Sequence, residues 1–353
     1  MSKFAVEKQR SLKQSSLKQR SLKRSSLKGP TLEQVFTGSM VGDKFPIQKY
    51  EDIVKKLMEK IGHNNNIEVK FIRRSNRNLN AINNLYAFYK QYMDHVRDIQ
   101  LDAVKSKWGN TVVPAKLKYK YGNIIDKLPK NINVYADYGC GSGAVFTQFK
   151  DVLNPKSSYC IDYKYYGPQD LLDSKKTQDP ERGLFVPNNL STSFGSYFNG
   201  AGLDDEHGVP INIDVMTMLQ SLHHVMFDDA PQKKTETLEF VVKEISKVMK
   251  PGAYLVLREH DIRNIDGLCR VLIEHMVYEI MEIHQDANET RLSFSEFKQY
   301  VTTYHTTHIG TYMSREYIGS LLKKYGFVSI SLFYPDLNQL SFTYSELYQR
   351  VSD

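Results

Sequence analysis

The chain has few of the residues that build disulfide frameworks, zinc clusters or membrane spans. It holds three cysteines in 353 residues, and Cys140, Cys160 and Cys269 show neither a Cys-x-x-Cys pair nor the spacing of a metal site. No apolar run approaches the ~18 residues that cross a bilayer. The charged N-terminus has no apolar segment typical of a secretory signal. These absences favour a reduced, cytoplasmic compartment without membrane contact and without a bound metal.

The charge of the chain is unevenly distributed around its net value of +7. Residues 1–28 hold nine basic side chains and one acidic side chain, and residues 29–130 hold 18 basic and 10 acidic ones. Residues 131–353 are acidic, with 20 basic and 29 acidic side chains. A concentration of basic side chains is typical of segments that bind RNA or another polyanion. We therefore predict such a partner for residues 1–130.

Composition divides the chain into three parts. Residues 11–28 repeat Ser-Leu-Lys with a leucine at every fifth position, and five helical steps turn ~140° beyond a circle, so these leucines form no apolar stripe. Low complexity and high charge predict a disordered tail over residues 1–30, which either binds a polyanion or is merely solvated. Residues 31–130 are predicted to be a mostly helical cap, and residues 131–353 are predicted to be a ligand-binding domain.

Strands and helices are expected to alternate from residue 131 onward, a pattern that predicts a parallel sheet covered on both sides. The predicted strands are 132–137, 158–161, 181–189, 211–219, 253–257, 327–334 and 339–344. The predicted helices are 143–152, 235–249, 266–284 and 314–325, while helices in the cap are predicted at 49–61, 79–104 and 115–128.

A glycine-rich turn follows the first strand of this domain. The chain reads Asp137-Tyr-Gly139-Cys-Gly141-Ser-Gly143 directly after an apolar run. Glycine accepts positive φ and has no Cβ, so a ligand can lie against the backbone there. A helix is expected to begin near Ala144, and its free N–H groups would face the same nucleotide-like ligand.

This turn resembles motif I of class I S-adenosylmethionine-dependent methyltransferases. The resemblance continues through Lys250-Pro251-Gly252 before a strand and Gly326-Phe327 before the last two strands. Gly139-x-Gly141-x-x-Ala144 also satisfies the dinucleotide fingerprint, but the acid before the glycines and the two later segments favour the methyltransferases. The resemblance implies a Rossmann-like α/β fold with a mostly parallel sheet, an antiparallel last strand and S-adenosylmethionine as cofactor.

The resemblance also implies which residues bind the cofactor. Asp162 closes the second strand, where the family's carboxylate accepts hydrogen bonds from both ribose hydroxyls. No acidic residue lies in 184–199, so Asn188, Asn189 or Ser191 would bind the adenine, unless Asp204 or Asp205 does. The full predicted set of cofactor residues is Asp137, Gly139, Gly141, Gly143, Asp162, Asn188, Gln220 and Ser221.

The acceptor side is predicted from the polar run Arg258-Glu259-His260-Asp261. This run follows the predicted fifth strand, and ligands bind at the carboxyl ends of such strands. Glu259, His260 or Asp261 could accept a proton as the methyl group transfers, whereas Arg258 and Glu259 could equally brace neighbouring loops. The pair His223-His224 occupies the equivalent place after the fourth strand and is expected to be structural more often than catalytic.

The acceptor itself is less constrained. The basic residues 1–130 favour RNA, methylated at its cap or at a base, while a small-molecule acceptor, a protein acceptor and a non-catalytic nucleic-acid-binding subunit stay open. Leu257-Arg258-Glu259-His260-Asp261 also resembles methyltransferases of large DNA viruses, which would place the protein in a virus factory or virion. The sequence assigns no oligomeric state.

Overall fold

The computed structural model describes twelve stretches of the chain. They are residues 35–42, 45–71, 80–103, 117, 120–140, 144–162, 184–187, 212–224, 231–282, 291–307, 310–335 and 342–351. The predicted tail over residues 1–30 lies outside the described residues, and so do Gly141, Gly143 and Asn188. The backbone of Asp162 is described, but its side chain is not.

The described residues contain nine strands in two sheets. The strands are β1 Val35–Thr37, β2 Val134–Tyr138, β3 Ser157–Asp162, β4 Leu184–Pro187, β5 Ile213–Leu219, β6 Met249–His260, β7 Thr311–Met313, β8 Phe327–Phe333 and β9 Thr343–Arg350. Seven of them form the main sheet in the order β4-β3-β2-β5-β6-β9-β8, while β1 and β7 pair separately. The five strands β2, β3, β4, β5 and β6 are parallel, and β9 is antiparallel to its neighbours β6 and β8. The predicted fold class is confirmed.

Helices connect and cover the strands of this sheet, and further helices precede it in the chain. They are α1 Glu51–Asn64, α2 Ala81–Ala103, α3 Ile124–Lys127, α4 Ala144–Leu153, α5 Pro231–Val248, α6 Ile265–Glu282, α7 Phe294–Thr307 and α8 Arg315–Lys324. The predicted start of a helix at Ala144 is confirmed, whereas α7 was not predicted from the sequence.

The two faces of the sheet carry separate apolar cores because successive strand residues point to opposite sides. Tyr135 packs on one face with Phe146 and Phe149 of α4. Its neighbour Ala136 belongs to the cluster on the other face, which includes side chains of α5 and α8. The sheet is therefore buried on both sides, as the strand–helix alternation predicts.

The N-terminal helices share a third core with the later part of the chain. Buried side chains of α1 and α2 cluster with those of α6 and α7, and residues 34–353 form one compact unit. Tyr86 and Tyr89 contact the ring of Phe297 on α7. These aromatic residues of α2 therefore contribute to the packing of α2 against α7.

The structure corrects two predicted strands. Strand β6 runs on to His260, so Arg258, Glu259 and His260 pair with β9 inside the sheet and do not follow the strand as a loop. The last strand spans Thr343–Arg350, so it begins four residues and ends six residues later than the predicted strand 339–344. Polar residues obscured both boundaries, because pairing with a neighbouring strand overrides local composition.

Within the described part of the chain, no helix is long and apolar enough to cross a membrane.

Candidate active site

The parallel strands bring their carboxyl ends to one edge of the sheet. From β2 the chain continues outward through β3 to β4, whereas β5 and β6 lie on the other side of β2. In open α/β sheets, ligands bind in the crevice where the strand order reverses in this way. Here that crevice lies between the ends of β2 and β5.

Gly139 makes the turn that follows β2. Its φ is +76°, and its amide donates a hydrogen bond of 2.8 Å to the carbonyl oxygen of Ile161 on β3. A Cβ added at this position would lie 2.2 Å from the Cβ of Ser221. Only glycine fits, both because of its backbone conformation and because the turn lies directly against the segment after β5.

Ser221 and Gln220 follow β5 at the same edge. The Ser221 hydroxyl donates to the carbonyl oxygen of Tyr138 at 2.8 Å, which fastens this segment to the end of β2. Gln220 has a φ of +59°, and its side-chain Nε2 lies 3.4 Å from Nε2 of His260. The two predicted cofactor residues thus lie between the glycine turn and the end of β6.

Asp137 lies within the sheet beneath this turn. Its side chain is buried, and Oδ1 accepts a hydrogen bond of 2.6 Å from the Thr217 hydroxyl on β5. Thr217 Oγ1 lies 2.9 Å from the Tyr135 hydroxyl. The carboxylate therefore joins β2 to β5 and supports the turn from below, while its predicted contact with the cofactor stays a prediction.

Asp162 ends β3 beside the turn, since its neighbour Ile161 accepts the Gly139 amide. The backbone thus places this acidic residue at the same edge as Gly139 and Ser221. Described residues at the ends of β2, β3 and β5 consequently fit a nucleoside-containing ligand, with a carboxylate position beside a glycine turn. The predicted contacts of Gly141, Gly143 and Asn188 lie outside the described residues.

A disulfide joins Cys140, next to the turn, to Cys160 on β3, with their Cα atoms 5.5 Å apart. This pairing differs from the reduced cysteines expected from the sequence, where a spacing of 20 residues gives no signal. Cys269 is free and buried. The cross-link holds the first residues of the glycine loop to the strand that ends in Asp162.

Glu259 and His260 are the most enclosed of the predicted catalytic residues, each 2% exposed. The Glu259 carboxylate accepts hydrogen bonds of 2.8 Å from the Leu222 amide and 3.3 Å from the His260 amide, and Oε2 lies 2.8 Å from Nδ1 of His223. Burial raises the pKa of Glu259, although the neighbouring histidines and amides act in the opposite direction. The group fixes the turn after β5 and orients the His223 ring.

Asp261 and Arg258 are placed to support the structure around the edge. Asp261 binds the guanidinium of Arg263 at 2.7 Å and accepts the amide of Arg315 at the start of α8 at 2.9 Å. Arg258 pairs with Ser345 of β9. The structure brings neither residue into the cluster around Glu259.

Tertiary packing adds a histidine that the sequence did not single out. His275 on α6 places Nε2 3.1 Å from Nε2 of His260. The ring of His223 lies 5.4 Å, between centroids, from each of these two rings. The three residues come from separate elements, so no spacing rule could have grouped them.

A family comparison agrees with this arrangement. The model of a methyltransferase-domain family matches residues 115–332, from before β2 into β8 and well over half of the chain. The chain belongs to the methyltransferase-domain family. The match takes in the glycine turn, Asp162, the segment after β5 and the run ending β6. It supports S-adenosylmethionine as the cofactor of this methyltransferase.

Solved structures show weaker likenesses. A SAM-dependent methyltransferase from Methanosarcina mazei is 17% identical with a TM-score of 0.40, covering 66% of this chain and 100% of that one. An O-methyltransferase family protein from Burkholderia thailandensis is 13% identical with a TM-score of 0.39, covering 86% and 72%. Human N-acetylserotonin methyltransferase in complex with SAM is 13% identical with a TM-score of 0.38, covering 77% and 58%. Likenesses at this level carry no argument about substrate. No curated protein matches the chain in sequence.

Proposed function

We propose that this protein transfers the methyl group of S-adenosylmethionine to an acceptor held at the carboxyl ends of β5 and β6. The observation that carries the proposal is the Gly139 turn, which lies against Ser221 in the crevice between β2 and β5. Its position beside Asp162 supports a nucleoside site on the β2–β3 side. The polar residues ending β6 then lie on the opposite side of the crevice, where an acceptor would enter.

The cofactor, when bound, supplies a methyl group that is already electrophilic on its sulfonium sulfur. The work of this chain is then to hold and align the reactants, which can contribute ~7–11 kcal/mol to lowering the barrier. Gly139, Asp162 and Ser221 would hold the cofactor. Glu259 and His260 would line the acceptor side, with the buried surroundings excluding water.

RNA is the acceptor class that the charge distribution favours. Residues 1–130 combine many basic side chains with few acidic ones, while residues 131–353 carry a net negative charge. A basic extension would hold a polyanion near an acidic domain that has little attraction for it alone.

A small-molecule acceptor is the second candidate, favoured by burial at the edge itself. The residues His223, Glu259 and His260 are each at most 2% exposed. Such enclosure suits a compact acceptor, since pockets for small ligands bury most of the ligand surface. An RNA acceptor would have to present a single extruded base or terminal group.

The cofactor site is tested by replacing Asp162 with alanine. Each hydrogen bond to a charged group contributes about 1.5–3 kcal/mol, so we expect S-adenosylmethionine to bind at least ~10-fold more weakly in calorimetry. Asp151→Ala is the matched control, because Asp151 is an exposed acid on the neighbouring helix α4 and its replacement should leave affinity unchanged. Wild-type protein that binds no S-adenosylmethionine would end the proposal.

The acceptor is tested by methyl transfer from labelled cofactor into separated RNA, protein and small-molecule fractions.

If RNA is the acceptor, a full-length variant with the nine basic residues of 1–28 replaced by glutamine should bind RNA with a shallower salt dependence. The slope of log affinity against log salt falls by roughly 0.7–0.9 for each phosphate that the protein no longer neutralises. Label found in the small-molecule fraction, with an unchanged slope, would reject RNA.

A further inference from the structure

Three histidines from separate elements meet at the edge of the sheet, and we propose that they bind a zinc ion. His223 lies in the turn after β5, His260 ends β6, and His275 lies on α6. Each offers one ring nitrogen within 4.8 Å of those of the other two. The site goes beyond the proposed methyl transfer, because metal binding requires neither the methyl donor nor the acceptor.

The spacing of the rings fits a shared ligand. The centroids of His223, His260 and His275 form a nearly equilateral triangle with sides of 5.4, 5.4 and 5.2 Å. Nε2 of His260 and Nε2 of His275 are 3.1 Å apart. Nitrogen ligands at ~2.0–2.1 Å from a tetrahedral zinc lie about 3.3 Å from each other. The observed separation is therefore close to what one ion between the two rings requires.

Hydrogen bonds to the outer ring nitrogens orient the histidines. Glu259 Oε2 lies 2.8 Å from Nδ1 of His223, so the carboxylate would hold Nδ1 and Nε2 would be the nitrogen that binds the ion. The Tyr312 hydroxyl lies 3.5 Å from Nδ1 of His275. A carboxylate holding a ligating histidine through its second nitrogen is the usual support of a protein zinc site.

Charge balance also favours a cation here. Glu259 is 2% exposed and accepts hydrogen bonds from two backbone amides beside the His223 ring. A buried carboxylate is costly unless an opposite charge lies near it. A divalent ion bound to His223 would supply that opposite charge, separated from the Glu259 carboxylate by the imidazole ring. Imidazole nitrogens suit zinc, and three protein ligands leave a fourth tetrahedral position for a water or an acceptor hydroxyl, as in catalytic zinc sites.

The test is zinc binding by the full-length protein after removal of metal with a chelator. Calorimetry and elemental analysis should find one zinc per chain, and cobalt should give the visible absorption of a tetrahedral site. His260→Asn and His275→Asn should each weaken zinc binding at least ~100-fold, and Glu259→Gln about 10–100-fold. His224→Asn is the matched control, because its ring lies 4.1 Å from that of His223 but outside the cluster.

Thermal unfolding keeps the test decisive if a buried variant folds poorly. Zinc should raise the unfolding midpoint of wild-type and His224→Asn protein and leave that of His275→Asn unchanged, because this variant lacks one of the three ligands. His275 is only half-buried, so the variant is expected to fold. Wild-type protein without zinc uptake, or His260→Asn and His275→Asn variants that bind zinc as tightly as wild type, would overturn the proposal. The contact between His260 and His275 would then be a hydrogen bond between two imidazoles. All measurements omit S-adenosylmethionine, so failure of the methyltransferase proposal does not affect them.

Discussion

Gly139→Ala is expected to destabilise the protein and to abolish cofactor binding. The new Cβ would lie 2.2 Å from the Cβ of Ser221, so the turn or the segment after β5 must move. Overpacking of this kind costs about 1–3 kcal/mol, and left-handed backbone at a non-glycine residue adds about 1–2 kcal/mol. We expect the free energy of unfolding to fall by about 2–5 kcal/mol in chemical denaturation, together with no detectable heat of cofactor binding.

Two further variants separate the steric and backbone effects. Gly252 has a similar φ of +86°, and a Cβ built there meets no atom within 4 Å. Gly252→Ala should therefore lose only the ~1–2 kcal/mol of backbone strain. In the double variant Gly139→Ala/Ser221→Gly the nearest remaining atom to the new Cβ would be the Cα at position 221, 3.7 Å away. Part of the stability should return. Equal losses in Gly139→Ala and Gly252→Ala would show that Ser221 does not confine the turn.

Arg315→Met is expected to cost about 3–5 kcal/mol of stability, the usual result of leaving a buried charge without its partner. Arg315 starts α8 and binds both carboxylate oxygens of Glu346 on β9, at 2.7 and 2.6 Å. The Glu346 side chain is 0% exposed. The Ser329 hydroxyl of β8 donates to the same carboxylate. Removing the guanidinium leaves the Glu346 carboxyl group without its partner inside the antiparallel end of the sheet.

Arg291→Met is the matched control for this prediction. Arg291 lies 2.6 Å from Asp94, the same shortest distance as in the Arg315–Glu346 pair, but the two side chains are 36% and 64% exposed. Exposed pairs contribute only about 0–1 kcal/mol. The double variant Arg315→Met/Glu346→Gln should recover part of the stability, since the buried charge is removed. Similar unfolding midpoints for Arg315→Met and Arg291→Met would contradict the argument from burial.

The fold could largely be predicted from local patterns. Apolar runs that alternate with amphipathic segments gave the order of strands and helices from β2 to β8, and the glycines after Tyr138 marked the turn. The predicted end of β6 was wrong, because Glu259 and His260 are polar residues that nevertheless pair with β9 in the sheet. Helix α7 was missed, although its buried Phe297 and Val301 pack in the core shared with α1 and α2.

The candidate site was predicted unevenly. Gly139, Gln220 and Ser221 lie at one edge of the sheet because each stands within two residues of a strand end, and parallel strands bring their ends to a common edge; their contact with the cofactor stays a prediction. Asp261 was expected at the acceptor, but its contacts with Arg263 and the Arg315 amide support the start of α8. His275 gave no signal, since it belongs to an ordinary helical segment that only packing brings beside His260.

The sequence by itself determined the family, the sheet class and the position of the glycine turn at the end of β2. These depend on backbone features that adjacent residues encode, such as a glycine turn at a strand end. Tertiary structure alone decided the disulfide between Cys140 and Cys160, the burial of Glu259, and the meeting of His223, His260 and His275. Such groupings depend on strand order and helix docking, which place residues far apart in the chain within a few ångströms of each other.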